Sequence, residues 1–161
     1  GRIADRFGGE VSPGMAVTVM SFGYATGLPR EADLVFDMRF LANPHWDDAL
    51  RPLTGEDAAV AAYVAADPQY DAALARIDDL ISSLLPGYAA SGKAYLTIAI
   101  GCTGGRHRSV AVARALAARL VAAGQPVALA HRDMAKTATE SASEPAAPLT
   151  LDASGSEAAP R

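Results

Sequence analysis

Several things are scarce in this 161-residue chain, and each scarcity excludes something. There is one cysteine, so no internal disulfide framework can form, which fits a reduced, cytoplasmic setting. The longest apolar runs are near eight residues, far short of the roughly 20 a spanning helix needs. No charged-then-apolar N-terminal segment suggests export. No His/Cys cluster suggests a metal site, and there is no internal repeat. What is abundant is apolar: half the residues are of AVILMFWYC type, enough for a real core in one domain and against wholesale disorder.

The net charge of −4 conceals a pattern. Residues 1–92 carry 6 Lys/Arg against 13 Asp/Glu, residues 93–136 carry 7 against 1, and residues 137–161 carry 1 against 4. A basic segment lies between two acidic ones. Residues 1–14 are Gly-rich and polar and read as a flexible lead-in. Residues 136–161, mostly Ala, Ser, Thr, Pro and Glu, read as a disordered tail. The folded unit is expected over residues 15–135, and the missing initiator Met suggests excision from a longer protein.

Four short apolar runs, Ala16–Phe22, Asp33–Met38, Tyr95–Ile100 and Pro126–His131, predict strands. Their continuous apolarity predicts cover on both faces. Helical patterns lie at Asp57–Ala66, Tyr70–Leu85 and Ser109–Ala123, with Pro86 and Gly87 expected to stop the second. The alternation implies an α/β fold: a mostly parallel sheet of about four strands flanked by helices. Ten residues between the first two strands are short for a parallel crossover.

Gly87–Ala94, GYAASGKA, imitates a nucleotide phosphate loop but ends in Ala94 instead of a hydroxyl. It also follows a helix and precedes a strand, the reverse of what a phosphate loop needs. Gly101–Ser109, GCTGGRHRS, has the right context, running from a strand into a helix. A phosphate-binding loop is therefore expected at the carboxyl end of that strand. Gly101, Gly104 and Gly105 permit an anion-binding backbone nest; Thr103, His107, Arg108 and Ser109 supply donors. The plainer alternative is a tight turn with solvated arginines. The same string fits C-x-x-G-x-x-R-[ST] through Cys102, Gly105, Arg108 and Ser109, resembling cysteine-dependent phosphatases. In that reading Cys102 and Arg108 would be catalytic, yet Gly101 stands where a histidine is usual, and Asp37 and Asp133 are only guesses for a general acid. Cys102 could equally be a small buried residue under the loop.

Longer strings point to a family. LVFDMRFLANPHW (34–46), LRPLTGED (50–57), YLTIAIGCTGGRHRSV (95–110) and HRD (131–133) together resemble the RapZ family of RNase adapter proteins, over about residues 16–133. The resemblance implies the C-terminal half only, with the ATP/GTP-binding loop belonging to an N-terminal half outside this sequence. No cofactor is expected here. It implies a domain that senses a glucosamine-6-phosphate-like amino sugar and presents small regulatory RNA to an endoribonuclease, as a homo-oligomer. On this reading Cys102, Thr103, Gly104, Gly105, His107 and Arg108 hold the sugar phosphate. A second ligand-facing segment carries His45, with Asn43 and Arg39 near it. For His45 and Trp46 alone, a turn after Pro44 with Trp46 packed in the core is an equal alternative. Lys93, Arg106, Arg114, Arg119, Arg132 and Lys136 are the cations available to RNA phosphates. Arg114 and Arg119 do not share a helix face, no base-stacking string accompanies them, and the tail is acidic.

Overall fold

The computed structural model describes residues 14–135. The expectations for residues 1–13 and for the tail, Lys136 included, lie outside the described residues. Four strands form one wholly parallel sheet: β1 (Ala16–Gly23), β2 (Leu34–Asp37), β3 (Tyr95–Cys102) and β4 (Ala128–His131), in the order β2-β3-β1-β4. Three helices flank it: α1 (Ala58–Ala65), α2 (Tyr70–Ala90) and α3 (Arg108–Ala122). Two single 3₁₀ turns, Tyr24–Thr26 and Pro44–Trp46, shape the loops after β1 and β2.

Cover on both faces is not what the sheet has. Along β1, Val17, Val19 and Ser21 are buried, while Ala16 is exposed and Thr18 and Met20 half-buried. In β2, Val35 is exposed between half-buried Leu34 and Phe36. The cause is the topology. α3 packs against β1, β3 and β4 and also touches α1 and α2, which touch each other, so the helices form one layer. On the other face the carboxyl end is shielded by the Phe22 and Tyr24 rings. These stand edge to face at 4.8 Å and occupy the space where a Cβ on Gly101 would go.

The ten-residue link from β1 to β2 skips over β3 without a helix. It can do so because β2 is short. Gly23 pairs with Cys102 and Leu34 with Ile98, so the chain descends only about 13 Å along the strands.

Pro86 and Gly87 do not stop α2, which continues to Ala90. Pro86 sits in the exposed interior of the helix, where it removes one backbone donor, and Gly92, at φ +85°, ends the run instead. Inside the core, Val112, Leu116 and Leu120 recur every fourth residue along α3 and are at most 1% exposed. Truncating Leu116 to Ala would cost about 2–5 kcal/mol.

Because every strand runs the same way, Gly23, Asp37, Cys102 and His131 all end at one edge. That edge gathers the residues considered next.

Candidate functional site

The 102–109 segment leaves β3 at Cys102 and enters α3 at Arg108, as a strand-to-helix loop should. Its glycines are shaped by packing. Gly105 has φ +82°, and a Cβ there would stand 2.6 Å from the Gly23 nitrogen and 2.8 Å from the Asp133 side chain. Gly23 in turn lies hard against the Gly104 backbone. Loop and β1 therefore touch main chain to main chain, an approach open only to residues without side chains.

Cys102 is 2% exposed and lies beneath this loop. The Ser109 amide donates to its Sγ at 3.3 Å, and Sγ lies 3.1 Å from Ser109 Oγ. Arg108, 3% exposed, donates through Nη1 to the carbonyls of Arg39 (2.7 Å) and Leu41 (3.1 Å), and through Nη2 to Thr103 Oγ1 (3.3 Å). Its Nε is buried without a hydrogen-bond partner. Burial pulls its pKa down, opposed by the nearby Cys102 and Asp37. Among the described residues it forms no ion pair, so the fold holds a buried guanidinium with two carbonyls and one hydroxyl, and Asp37 and Cys102 act on it without pairing. A buried charge without a counterion is costly, and an anion reaching it would be strongly favoured.

Arg106 and His107 face elsewhere. Arg106 is 7% exposed and donates to the carbonyls of Pro52, Leu53 and Met134, clamping three loops together. It lies inside and not on a surface that RNA could touch. His107 is 6% exposed, with Nε2 3.1 Å from the Arg51 carbonyl. A carbonyl only accepts, so Nε2 carries the proton. Burial pushes its pKa down, against the pull of that hydrogen bond.

The second segment reaches the same edge. Asp37 is gripped by Arg39, with Nη2 to Oδ2 at 2.7 Å; burial would raise its pKa, but this pairing holds it below the usual range. It is therefore ionised at neutral pH, which does not suit a general acid. Asn43 Oδ1 accepts the His45 amide at 3.0 Å, fixing the Pro44–Trp46 turn. The His45 imidazole is half-buried, and its pKa is lowered by burial and then by Arg51, Arg106 and Arg108. That shift marks a positive field where the two segments meet. Trp46 is 76% exposed and not in the core, because the turn points it outward while Pro44 takes the buried position. Arg51, which the residue types alone did not single out, ties this turn down: its Nε donates to the His45 carbonyl at 2.8 Å, and Nη2 pairs with Asp48 at 2.6 Å.

At the far side, Asp133 is 3% exposed and accepts the Gly23 amide at 2.7 Å, with Arg132 Nη2 at 2.9 Å. It is a strut that secures β1. Ser21 Oγ and His131 Nδ1 are 2.7 Å apart, a buried link between β1 and β4.

The remaining sequence-selected cations are dispersed. Lys93 pairs with Asp33 at 2.8 Å at the opposite, amino edge, where Ala16 bonds Ala94. Arg114 faces Glu56 at 3.7 Å and Arg119 faces Asp78 at 3.5 Å, both along α3. The phosphate-loop imitation at 87–94 also lies at the amino edge, away from the site. No group of three or more potential metal ligands occurs among the described residues.

Fold and edge together define a parallel α/β domain in which a buried thiol and the buried Arg108 lie where the strands end. Among known families, the profile of the RapZ C-terminal domain matches residues 15–135, and the chain belongs to that family. Curated relatives are called nucleotide-binding proteins. One from Novosphingobium aromaticivorans is 54% identical over 86% of this chain and 45% of its own length. Another, from Paramagnetospirillum magneticum, is 57% identical over 82% of this chain and 43% of its own. A third, from Rhodospirillum rubrum, is 57% identical over 78% and 39%. The chain thus spans less than half the length of these relatives. No helix among the described residues is long and apolar enough to cross a membrane.

Proposed function

We propose that this domain is a non-catalytic sensor. It binds a phosphorylated amino sugar of the glucosamine-6-phosphate type between the 102–109 loop and the 39–45 segment. Occupancy then governs how it presents a small regulatory RNA to an endoribonuclease, in the cytoplasm and as a homo-oligomer. ATP or GTP handling would belong to the part of such proteins outside this chain. The observation that carries the reading is Arg108: buried, without an ion pair among the described residues, and with Nε unpartnered. A phosphate supplies the missing counterion, with Thr103 and Ser109 as further donors and with Asn43 and His45 of suitable type for sugar hydroxyls or the amine.

Calorimetry with glucosamine-6-phosphate tests this directly. Arg108→Lys, checked for folding by its melting curve, should weaken binding by about 10-fold or more, because a charge-assisted bond contributes about 1.5–3 kcal/mol. Unchanged affinity would remove Arg108 from the site. A second reading, phosphoryl transfer through Cys102, draws on the Ser109 amide donated to its Sγ and on the neighbouring Arg108. Turnover of a generic aryl phosphate, lost in Cys102→Ser, would establish it; no turnover in the wild type would eliminate it.

A further inference from the structure

We infer that Trp46 is a stacking platform for a nucleobase whose adjoining phosphate meets Arg51, which is bonded to the same turn and partly exposed. This builds on the RNA-binding part of the reading above and needs no ligand contact with Arg108 or the 102–109 loop. Trp46 is the most exposed large hydrophobic side chain among the described residues, at 76%. Its backbone is nonetheless fixed. Pro44 opens the turn, Asn43 caps it, and the Asp47 amide donates to the Pro44 carbonyl at 3.0 Å. Arg51 holds the His45 carbonyl, and the His45 ring meets the indole edge to face at 4.9 Å. An aromatic presented on a pinned backbone loses little freedom on stacking.

Its charge setting favours this occupant. His45, in contact with the indole, lies in the field of Arg51, Arg106 and Arg108. The nearby carboxylates are engaged: Asp47 Oδ1 accepts the Ala49 amide, Asp48 pairs with Arg51, and Asp37 pairs with Arg39. A neutral flat ring beside a negative phosphate matches an indole beside cations, as in proteins that hold single strands by stacking and charge. A ligand confined to buried Cys102, Arg108 and Ser109 would leave the indole in water, whereas a nucleotide stacked on the indole can reach Arg51 on the same turn.

Trp46 is the chain's one tryptophan, so intrinsic fluorescence reports on this side chain alone. The 161-residue chain should be titrated with single-stranded oligoadenylate, with AMP and with inorganic polyphosphate. Oligoadenylate should quench the emission and polyphosphate should not. In an anisotropy assay with labelled oligoadenylate, Trp46→Ala should bind about 5- to 150-fold more weakly, the range that stacking on one base gives, while Trp46→Phe keeps most of the affinity. Quenching by AMP at comparable affinity would keep the platform and assign it to free nucleotides. Equal binding by Trp46→Ala, or no binding of either oligoadenylate or AMP by the wild type, overturns the inference. Calorimetry with glucosamine-6-phosphate on Trp46→Ala separates the two ideas, because sugar-phosphate affinity should be unaltered there even if nucleobase binding fails.

Discussion

Asp133 carries more of the edge than its place near the end of the described chain suggests, and Asp133→Ala measures how much. The substitution removes the acceptor of the Gly23 amide, a buried charge-assisted bond at 2.7 Å worth about 1.5–3 kcal/mol. It also releases Arg132 from a pair at 2.9 Å; with that arginine about a quarter exposed, solvent screening limits this to about 1 kcal/mol. Together they give about 2.5–4 kcal/mol. For a folded unit of this size, one kcal/mol moves the melting temperature by about 4 °C, so the midpoint should fall by about 10–16 °C. Asp133→Asn keeps one acceptor oxygen and should lose about half as much. Thermal unfolding followed by circular dichroism reads both. A drop under about 4 °C in Asp133→Ala, or equal losses in the two variants, would refute the assignment of Asp133 as the strut between β1 and the chain after β4.

Other outcomes follow from the same geometry. Gly23→Ala would force a Cβ into the Gly104 backbone, which cannot swing aside, and should cost at least about 2–3 kcal/mol by melting. Pro86→Ala should stabilise, by about 1–3 kcal/mol, because it restores a donor inside α2 at an exposed position. His45, His107 and His131 all have folded pKa values below their unfolded ones, so the unfolded chain binds more protons once the pH falls below about 6.5. Stability should therefore be fully present above that value and decline as the pH drops from 6.5 toward the folded values; His107→Gln should flatten the decline, and melting curves at pH 7.5 and 5.5 check both. Cys102, 2% exposed, should react with a thiol reagent only as fast as the loop opens, and at once in urea; rapid labelling of the native protein would contradict its burial.

Much of this was legible beforehand. Short apolar runs marked all four strands, and the strand-to-helix context of 101–109 located the loop, because both are local signals. The misreadings came from information that is not local. Continuous apolar runs suggested two covered faces, but which face is covered depends on the order of the strands. Pro86 suggested a stop, yet flanking turns carried the helix past it. Arg106 and Arg108 are two residues apart in a basic string; the C-x-x-G-x-x-R-[ST] spacing singled out Arg108, but nothing in the string shows that Arg106 is buried too. Only the loops around them show that one clamps carbonyls of Pro52, Leu53 and Met134 while the other holds those of Arg39 and Leu41. The alternative that packed Trp46 in the core fails for the same reason, since Pro44 and not the indole fills the buried position of that turn.

The strand order has a consequence for how the protein is made. β1 leaves the ribosome first, yet both of its neighbours come late: Ala16 waits for Tyr95, and Ser21 waits for His131. From the time β1 emerges until β3 follows, its two backbone edges are bare, and pairing with the wrong partner is a hazard. Among the described residues the last stretch to arrive, His131 to Asp133, also carries the link to Ser21 and the acceptor for Gly23. The edge where the strands end is thus closed only when translation has passed Asp133.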